Sequence, residues 1–162
     1  MEFVFNEWFL NWHSPLEATP EQRKTVHRII NWLIGQQDHR LVVMNRSPFM
    51  DKLNLFRKDF DYDPFCRNSL KTFYAQIIIN LTICRQVEKP PQLPPDIEEL
   101  LQRPTEPPFT NIESDRYLFE SAETTHEKII ITTDEKLIGH FAQSERFRLW
   151  TVDEFLKKLN IP

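Results

Sequence analysis

The sequence predicts an α/β fold with three layers, in which helices cover both faces of a central parallel sheet. Short runs of β-branched and aromatic residues alternate along the chain with longer segments whose apolar residues recur at helical spacing. Several predicted strands are apolar at consecutive positions, as expected for strands buried on both faces. A chain of 162 residues with 40% hydrophobic residues can bury one sizeable core, so we expect a single domain over residues 1–162.

The first predicted unit is a strand over residues 2–9 followed by a helix. The strand segment is rich in phenylalanine and valine, which favour strands. In the segment that follows, Thr19 can cap a helix, Pro20 suits the first helical position, and Gln22 completes a capping box. The apolar residues beyond them recur at helical spacing and form one stripe, which consists of Val26, Ile29, Ile30, Leu33 and Ile34.

The next segments predict a second strand and two further helices. The strand "RLVVMN" ends at Asn45, and the helix after it begins with Ser47 and Pro48 and has Asp51 in its first turn. Another helix begins at the Asp-Pro step of residues 63–64. Its end, "IIINLTIC", is rich in β-branched residues, which leaves open where a third strand begins.

The second half of the chain begins with a proline-rich loop at about residues 90–108, which contains most of the twelve prolines. It surrounds a short helical segment, "DIEELL". A surface crossover is the simpler interpretation of this loop, and a flap beside a cleft is the functional one. After it we expect a helix opened by Ser114 or Asp115, the strand "KIIITT", the helix "EKLIGHFAQ", the strand "RLWTV" and the terminal helix "VDEFLKKL".

The composition argues against several classes of function. The net charge of −4 and the pI near 5.7 argue against binding of nucleic acid or lipid through bulk positive charge. Because the chain has only two glycines, neither a P-loop nor a GxGxxG dinucleotide loop can form. The histidines lack HExxH spacing and no serine lies in a GxSxG motif, so zinc hydrolysis and serine-triad chemistry lack their residues.

The cysteines and the apolar segments predict a location. Cys66 and Cys84 lie far apart and outside any CxxC motif, so we expect reduced thiols in the core. No basic leader precedes the apolar start of the chain, and no segment reaches the length of a membrane span. We therefore expect a cytoplasmic protein without membrane association. We also expect Phe3, Phe5 and Phe9 to lie in the core rather than to stack on bases.

Several oxygen-bearing side chains map to one edge of the predicted sheet. Asp134 follows the strand "KIIITT", and Asp51 follows the strand "RLVVMN". Asn6 and Glu7 lie late in the first strand, and Asp115 opens the helix before "KIIITT". Ligand sites of parallel sheets gather at the carboxyl ends of the strands, and Mg²⁺ and Mn²⁺ prefer oxygen ligands. For any single one of the three aspartates a role at the helix start is the simpler interpretation, and their joint placement at one edge favours a metal site.

These residues resemble the PIN domains, a family of metal-dependent nucleases that includes the toxins of bacterial toxin–antitoxin pairs. The stretch "SDRYLFESAETTHEKIIITTDEKLIGHF" is similar to the family's Asp-headed helix followed by a strand and a T-x-D step, here Asp115, Thr132 and Asp134. The stretch "VVMNRSPFMDKL" is similar to the family's second strand and acidic helix, which places Asp51 at the second acidic position. The order of elements resembles a PIN domain over nearly the whole chain.

The first acidic position departs from the family pattern. PIN domains usually end their first strand with aspartate, whereas this chain has Asn6 there and Glu7 one residue later. In an ideal strand Glu7 would face the opposite side of the sheet from Asn6. A strand that ends or bulges at Asn6 would still allow Glu7 to turn towards the other acids.

The resemblance implies an endoribonuclease that cleaves single-stranded RNA with Mg²⁺ or Mn²⁺. In this interpretation Asp51, Asp115 and Asp134 hold the metal, Glu7 or Asn6 assists, and Thr132 orients a ligand or water. RNA is then the expected partner, and an antitoxin-like protein and a homodimer are further expectations. The alternative is a catalytically impaired PIN-like module that binds RNA or protein. A receiver-like phosphotransfer domain ranks third, because Lys128 precedes its strand instead of following it.

A group of cations on or near the predicted helices after the second strand has two interpretations. They could contact phosphates, or they could form an ordinary solvated face, which is the simpler interpretation. These residues are Arg46, Arg57, Lys58, Arg67 and Lys71.

Overall fold

The computed structural model describes residues 1–102 and 112–162. Its five strands are β1 (Glu2–Phe5), β2 (Arg40–Met44), β3 (Cys84–Val87), β4 (Ile129–Ile131) and β5 (Arg148–Trp150). They form one sheet in the order β3-β2-β1-β4-β5, and every neighbouring pair is parallel. With helices on both faces, the sheet makes the three-layer α/β/α fold that the sequence predicts.

Eight α-helices occur within the described ranges. They are α1 (Trp8–Asn11), α2 (Pro20–Ile34), α3 (Pro48–Asp59), α4 (Pro64–Thr72), α5 (Pro95–Gln102), α6 (Arg116–Glu123), α7 (Glu135–His140) and α8 (Val152–Lys158). A π-helix over Phe73–Ile78 continues α4, and a 3-10 helix over Ile112–Asp115 leads into α6.

The helix starts confirm the local capping signals in the sequence. The side chain of Thr19 accepts a hydrogen bond from the backbone N–H of Gln22, and the Gln22 side chain accepts one from the backbone N–H of Thr19. Ser47 caps α3 and Asp63 caps α4, each through its own side-chain oxygen. The three helices therefore begin where sequence patterns predict, because a cap needs only neighbouring residues.

The first strand is shorter than the sequence predicts. It ends at Phe5, and residues 8–11 form the helical turn α1. Trp8, Phe9 and Leu10 are all buried, so α1 extends the core beyond the end of the strand. The Trp8 indole N–H also donates to the carbonyl of Ile131 at 2.8 Å, which ties α1 to the end of β4.

Three further segments refine the sequence predictions. Ile77 and Ile78 belong to the π-helix, so the third strand begins only at Cys84. The proline-rich loop contains α5, as "DIEELL" predicts, and its residues 103–108 lie outside the described residues. The helix expected to open at Ser114 or Asp115 begins at Arg116, after the 3-10 helix.

The core supports the predictions made for the aromatic residues and the thiols. Phe3, Phe5 and Phe9 are buried, and the rings of Phe5 and Phe9 stack with centroids 4.7 Å apart. Cys66 and Cys84 are buried and not disulfide-bonded. Burial raises the pKa of Cys66 to about 11 and that of Cys84 to about 12, so both stay protonated thiols at neutral pH. Within the described residues, no helix has the length and apolar character needed to cross a membrane.

Candidate functional site

The carboxyl ends of β1 and β4 meet at one edge of the sheet. The two strands pair in register, with Phe5 opposite Ile131. The residues that follow them are therefore neighbours, and the Asn6 side-chain amide donates to Thr132 Oγ1 at 3.1 Å. Thr132 Oγ1 also accepts a hydrogen bond from the backbone N–H of Asp134 at 3.0 Å. The fully buried Thr132 hydroxyl thus links the two strand ends.

Glu7 turns towards this edge because β1 ends before it. Its backbone is helical, with φ −59° and ψ −15°, at the start of α1. Strand alternation therefore no longer decides the direction of its side chain. The carboxylate forms an ion pair with Lys52, with Oε2 at 3.1 Å from Nζ, and its charge also acts on Asp115. The strand thus ends before Asn6, which is the condition under which Glu7 could turn towards the other acids, and its role in the site stays a prediction.

Asp134 caps α7. Its Oδ1 accepts hydrogen bonds from the backbone N–H groups of Lys136 at 2.9 Å and Leu137 at 3.0 Å. These bonds satisfy donors that a helix start otherwise leaves without partners, and the charge complements the helix dipole. The capping interpretation of Asp134 is therefore confirmed, whether or not the carboxylate also serves a ligand.

Asp115 occupies the equivalent position before α6 but does not cap it. Its backbone lies at φ −92° and ψ 0°, and its side chain makes no capping hydrogen bond. The carboxyl group is half-buried, and burial together with the charges of Asp134 and Glu7 raises its pKa to about 6. The capping interpretation is wrong for Asp115, because the 3-10 helix before it holds its backbone outside the extended conformation that a capping residue needs.

Tyr117 adds a polar atom that the sequence analysis did not identify. The residue is only 6% exposed, and its hydroxyl has no hydrogen-bond partner among the described residues. Burial, followed by the charges of Glu7 and Asp115, raises its pKa well above the usual value. Buried hydroxyls are rarely left without a partner in proteins. No signal in the sequence marks this residue, because a tyrosine within "RYLF" is typical of a helix that packs on a core.

The Asp51 side chain forms no hydrogen bond or ion pair with these groups in the described part of the chain. It is exposed in the first turn of α3, where its backbone N–H bonds the carbonyl of Ser47 at 3.0 Å. Its charge is not among those that raise the pKa of Asp115. The next residue, Lys52, is the one that contacts Glu7. Successive helical residues point about 100° apart, so α3 presents a cation to the site where the resemblance to PIN domains predicts an acid.

The arrangement fits a metal site in chemistry but not in the number of ligands. The charges of Asp134 and Glu7 both act on Asp115, and a hard cation bound there would relieve that repulsion. The orphaned hydroxyl of Tyr117 and the uncapped carboxylate of Asp115 are groups that such a ligand would satisfy. However, residues 1–102 and 112–162 contain no group of three or more His, Cys, Asp and Glu side chains that could hold a metal ion.

The fold therefore brings some of the predicted site residues to the same edge of the sheet, but not all of them. The structure places Asn6, Glu7, Thr132 and Asp134 at the strand ends and sets Asp115 within range of two of their charges. The metal roles of Asp51, Asp115, Asp134 and Glu7 stay predictions. No protein-family model matches the chain, and comparison with curated proteins gives no significant match, so the resemblance to PIN domains also stays a prediction.

Proposed function

We propose that the chain is a phosphodiester hydrolase that cleaves single-stranded RNA with Mg²⁺ or Mn²⁺ at the edge formed by Glu7, Asp115 and Asp134. The observation that carries this proposal is Asp115, whose half-buried carboxylate makes no capping bond and has its pKa raised by burial and by the charges of two other acids. The ionised form of Asp115 is unfavourable in this position, and a compensating ligand would stabilise it. A divalent cation is the ligand that matches oxygen donors of this charge.

Each residue of the edge has a definite task in this proposal. Asp115 and Asp134 would hold the cation, which when bound would neutralise the scissile phosphate and favour ionisation of the attacking water. Asp134 keeps its capping bonds, which fix its orientation before any ligand arrives. The Tyr117 hydroxyl would donate a hydrogen bond to a water or a phosphate oxygen that approaches Asp115. Thr132 holds Asn6 and the turn before Asp134 in place.

Lys52 has two roles open to it in this site. In the absence of a ligand it neutralises Glu7 at 3.1 Å. On arrival of a divalent cation, Glu7 would transfer to the cation and release the ammonium to pair with a phosphate oxygen. The ion pair thus keeps Glu7 and Lys52 close to the edge while both can still exchange each other for a ligand.

A second function is favoured by a different observation. Asn6 donates to Thr132, and Lys52 pairs with Glu7, so two positions that would serve a metal already have partners within the protein. An edge whose polar groups already bond to one another within the protein fits a catalytically impaired module that binds RNA or a protein partner. The expectations of a cytoplasmic location, an antitoxin-like partner and a homodimer belong equally to both functions.

Cleavage of a mixed-sequence single-stranded RNA panel in Mn²⁺ tests the proposal. The wild type should cleave and EDTA should abolish cleavage, whereas Asp115→Asn should lose on the order of a hundredfold or more in rate. Asp153→Asn is the matched control, because Asp153 is exposed in the first turn of α8. Asp51→Asn tests whether α3 also supplies a ligand. Absence of cleavage with either metal would favour the binding module, and equal cleavage by wild type and Asp115→Asn would refute the site.

A further inference from the structure

A second feature of the surface lies between α3 and α4. A cavity of about 440 Å³ is lined there by Arg57, Lys58, Arg67 and Lys71, together with Asn54. We call these five residues the cationic groove. The groove concentrates four positive charges on a protein whose net charge is −4. A local reversal of charge on an acidic protein indicates a surface that attracts anions.

The groove cations differ from seven other cations of the protein in having no carboxylate partner. Within the described part of the chain, none of the four lies in an ion pair. The cations that do form ion pairs with acidic side chains are Arg23, Lys24, Lys52, Arg85, Arg116, Lys128 and Arg146. Four like charges around one cavity repel one another, and an anion in the cavity would remove that repulsion.

Helix dipoles explain part of this arrangement but not all of it. Arg57 and Lys58 lie in the last turn of α3, and Lys71 lies in the last turn of α4, where cations are favourable. Arg67, however, lies earlier in α4. The dipole of each helix also gives no reason for the cations of two helices to converge on one cavity.

One aromatic ring packs on a groove cation, and a row of rings begins on α3, the helix that carries that cation. The Arg57 guanidinium lies over the ring of Tyr74, 3.9 Å from its centroid, which holds the guanidinium plane fixed. A row of edge-on rings follows α3 and the turn after it, with centroids 4.8 Å apart for Phe56 and Phe60 and 6.2 Å apart for Phe60 and Tyr62. Tyr62 is 66% exposed at the end of this row. Exposed aromatic rings beside cations are typical of surfaces that stack single-stranded bases.

The groove and the acidic edge are connected by α3. Lys52 contacts Glu7 near the start of the helix, and Lys58 lines the groove six residues later. At 1.5 Å per residue, this separation is roughly 9 Å along the helix axis. The two side chains also point about 120° apart around the helix, so this axial separation is the minimum distance between the groove and the acidic edge.

We propose that the cationic groove binds the phosphate backbone of a single-stranded nucleic acid, with a base stacked on Tyr62. A concave site fits a flexible strand better than a flat membrane surface. The inference deepens the proposed function, on which the choice of ligand rests, by naming where the substrate strand is held. Backbone contacts of this kind do not distinguish RNA from DNA, so we expect both to bind.

Binding of fluorescent 15-nucleotide oligo(U) and oligo(dT) in EDTA, measured by anisotropy at low salt, tests the groove without any metal. The double substitution Lys58→Gln, Lys71→Gln should weaken binding of both oligonucleotides about tenfold or more. It should also reduce the slope of log K against log salt by roughly 1.4, or 0.7 for each lost cation. The control is Lys157→Gln, Lys158→Gln, which removes the same charge from the last turn of α8.

The outcomes separate the groove from the cleavage site. Asp115→Asn should bind both oligonucleotides at least as well as the wild type, even if it cleaves nothing. Failure of the wild type to bind, or equal weakening by the groove and control substitutions, would overturn the groove. Binding of anionic lipid vesicles in preference to oligonucleotides would overturn it as well. If the wild type bound the oligonucleotides but cleaved no RNA with either metal, the proposed nuclease would be contradicted and the groove would remain supported.

Discussion

The starts of α6 and α7 place the same residue type in the same position with opposite results. Asp134 precedes α7 with an extended backbone and accepts two backbone hydrogen bonds. Asp115 precedes α6 with φ −92° and ψ 0°, accepts no capping bond, and has a pKa raised to about 6. Capping requires a backbone that turns the side chain back over the helix end, and the 3-10 helix before α6 prevents this for Asp115.

This difference in capping indicates which of the two aspartates is free to bind a ligand. Asp134 stabilises the fold directly through its cap. Asp115 makes no such contribution, and burial beside Asp134 and Glu7 makes its ionised form unfavourable. A destabilising group in a folded protein often marks a functional site, because the stability lost there is recovered when the ligand binds. The following predictions test this contrast.

The largest effect on stability is expected from Asp115→Asn in the metal-free protein. The pKa of Asp115 is about 6 in the folded chain against an ordinary 3.8, so the folded state holds the proton more tightly than the unfolded state. The associated stability is present below pH 3.8 and is lost as the pH rises through 6. Asp115→Asn should therefore increase the free energy of unfolding by ~2 kcal/mol at pH 7.5, after allowance for solvent screening, and hardly at pH 3.5.

Urea denaturation of wild type and variant in EDTA at the two pH values measures this difference. Asp153→Asn serves as the control for the loss of an exposed aspartate in a first turn. A variant that is less stable than the wild type at pH 7.5 would show that Asp115 stabilises the fold, which would end the contrast with Asp134.

The opposite sign is expected at the start of α7. Asp134→Ala removes the acceptor of two backbone hydrogen bonds and should decrease the free energy of unfolding by about 1–2 kcal/mol. Asp134→Asn should keep most of that stability, since asparagine caps helices about as well as aspartate. Thermal and urea denaturation of the two variants should thus differ. If both variants matched the wild type in stability, the cap would be energetically unimportant.

A smaller effect is expected from Tyr117→Phe. Removing the unpartnered buried hydroxyl should leave the metal-free protein as stable as before, or more stable by about 1 kcal/mol. If the hydroxyl serves a ligand of Asp115, the same variant should lose RNA cleavage in Mn²⁺ by roughly tenfold. Unfolding free energy and cleavage rate, measured on one preparation of the variant, show whether the hydroxyl serves a ligand. A clear loss of stability would indicate that the hydroxyl has a structural partner.

The smallest effect on stability is expected from Glu7→Gln, at less than about 0.5 kcal/mol, because the Lys52 pair is partly exposed to solvent. The substitution removes one of the charges that raise the pKa of Asp115, so that pKa should fall. Lys52→Met should raise it, since Glu7 would lose its counterion. NMR titration of the Asp115 carboxyl group measures both shifts, and calorimetry should show weaker Mn²⁺ binding by Glu7→Gln. Shifts of the same sign in both variants would argue against direct charge effects.

The sequence by itself determined the class of the fold and most of its elements. The capping box at Thr19 and Gln22, the serine before α3 and the apolar run before Asp134 all depend on residues within a few positions of one another. Such signals act during the formation of each element and need no distant contact. The placement of Asp134 at the end of a buried strand followed from the same local pattern.

Tertiary structure alone decided which groups face one another. Asn6 and Thr132 are 126 residues apart and meet because β1 and β4 pair in register. The rotation of α3 brings Lys52 rather than Asp51 to Glu7, and the packing of α6 buries the hydroxyl of Tyr117 within range of the charges of Glu7 and Asp115. A change of one residue in a helix turns a side chain by about 100°, so these contacts depend on how whole elements pack and not on the pattern within any one of them.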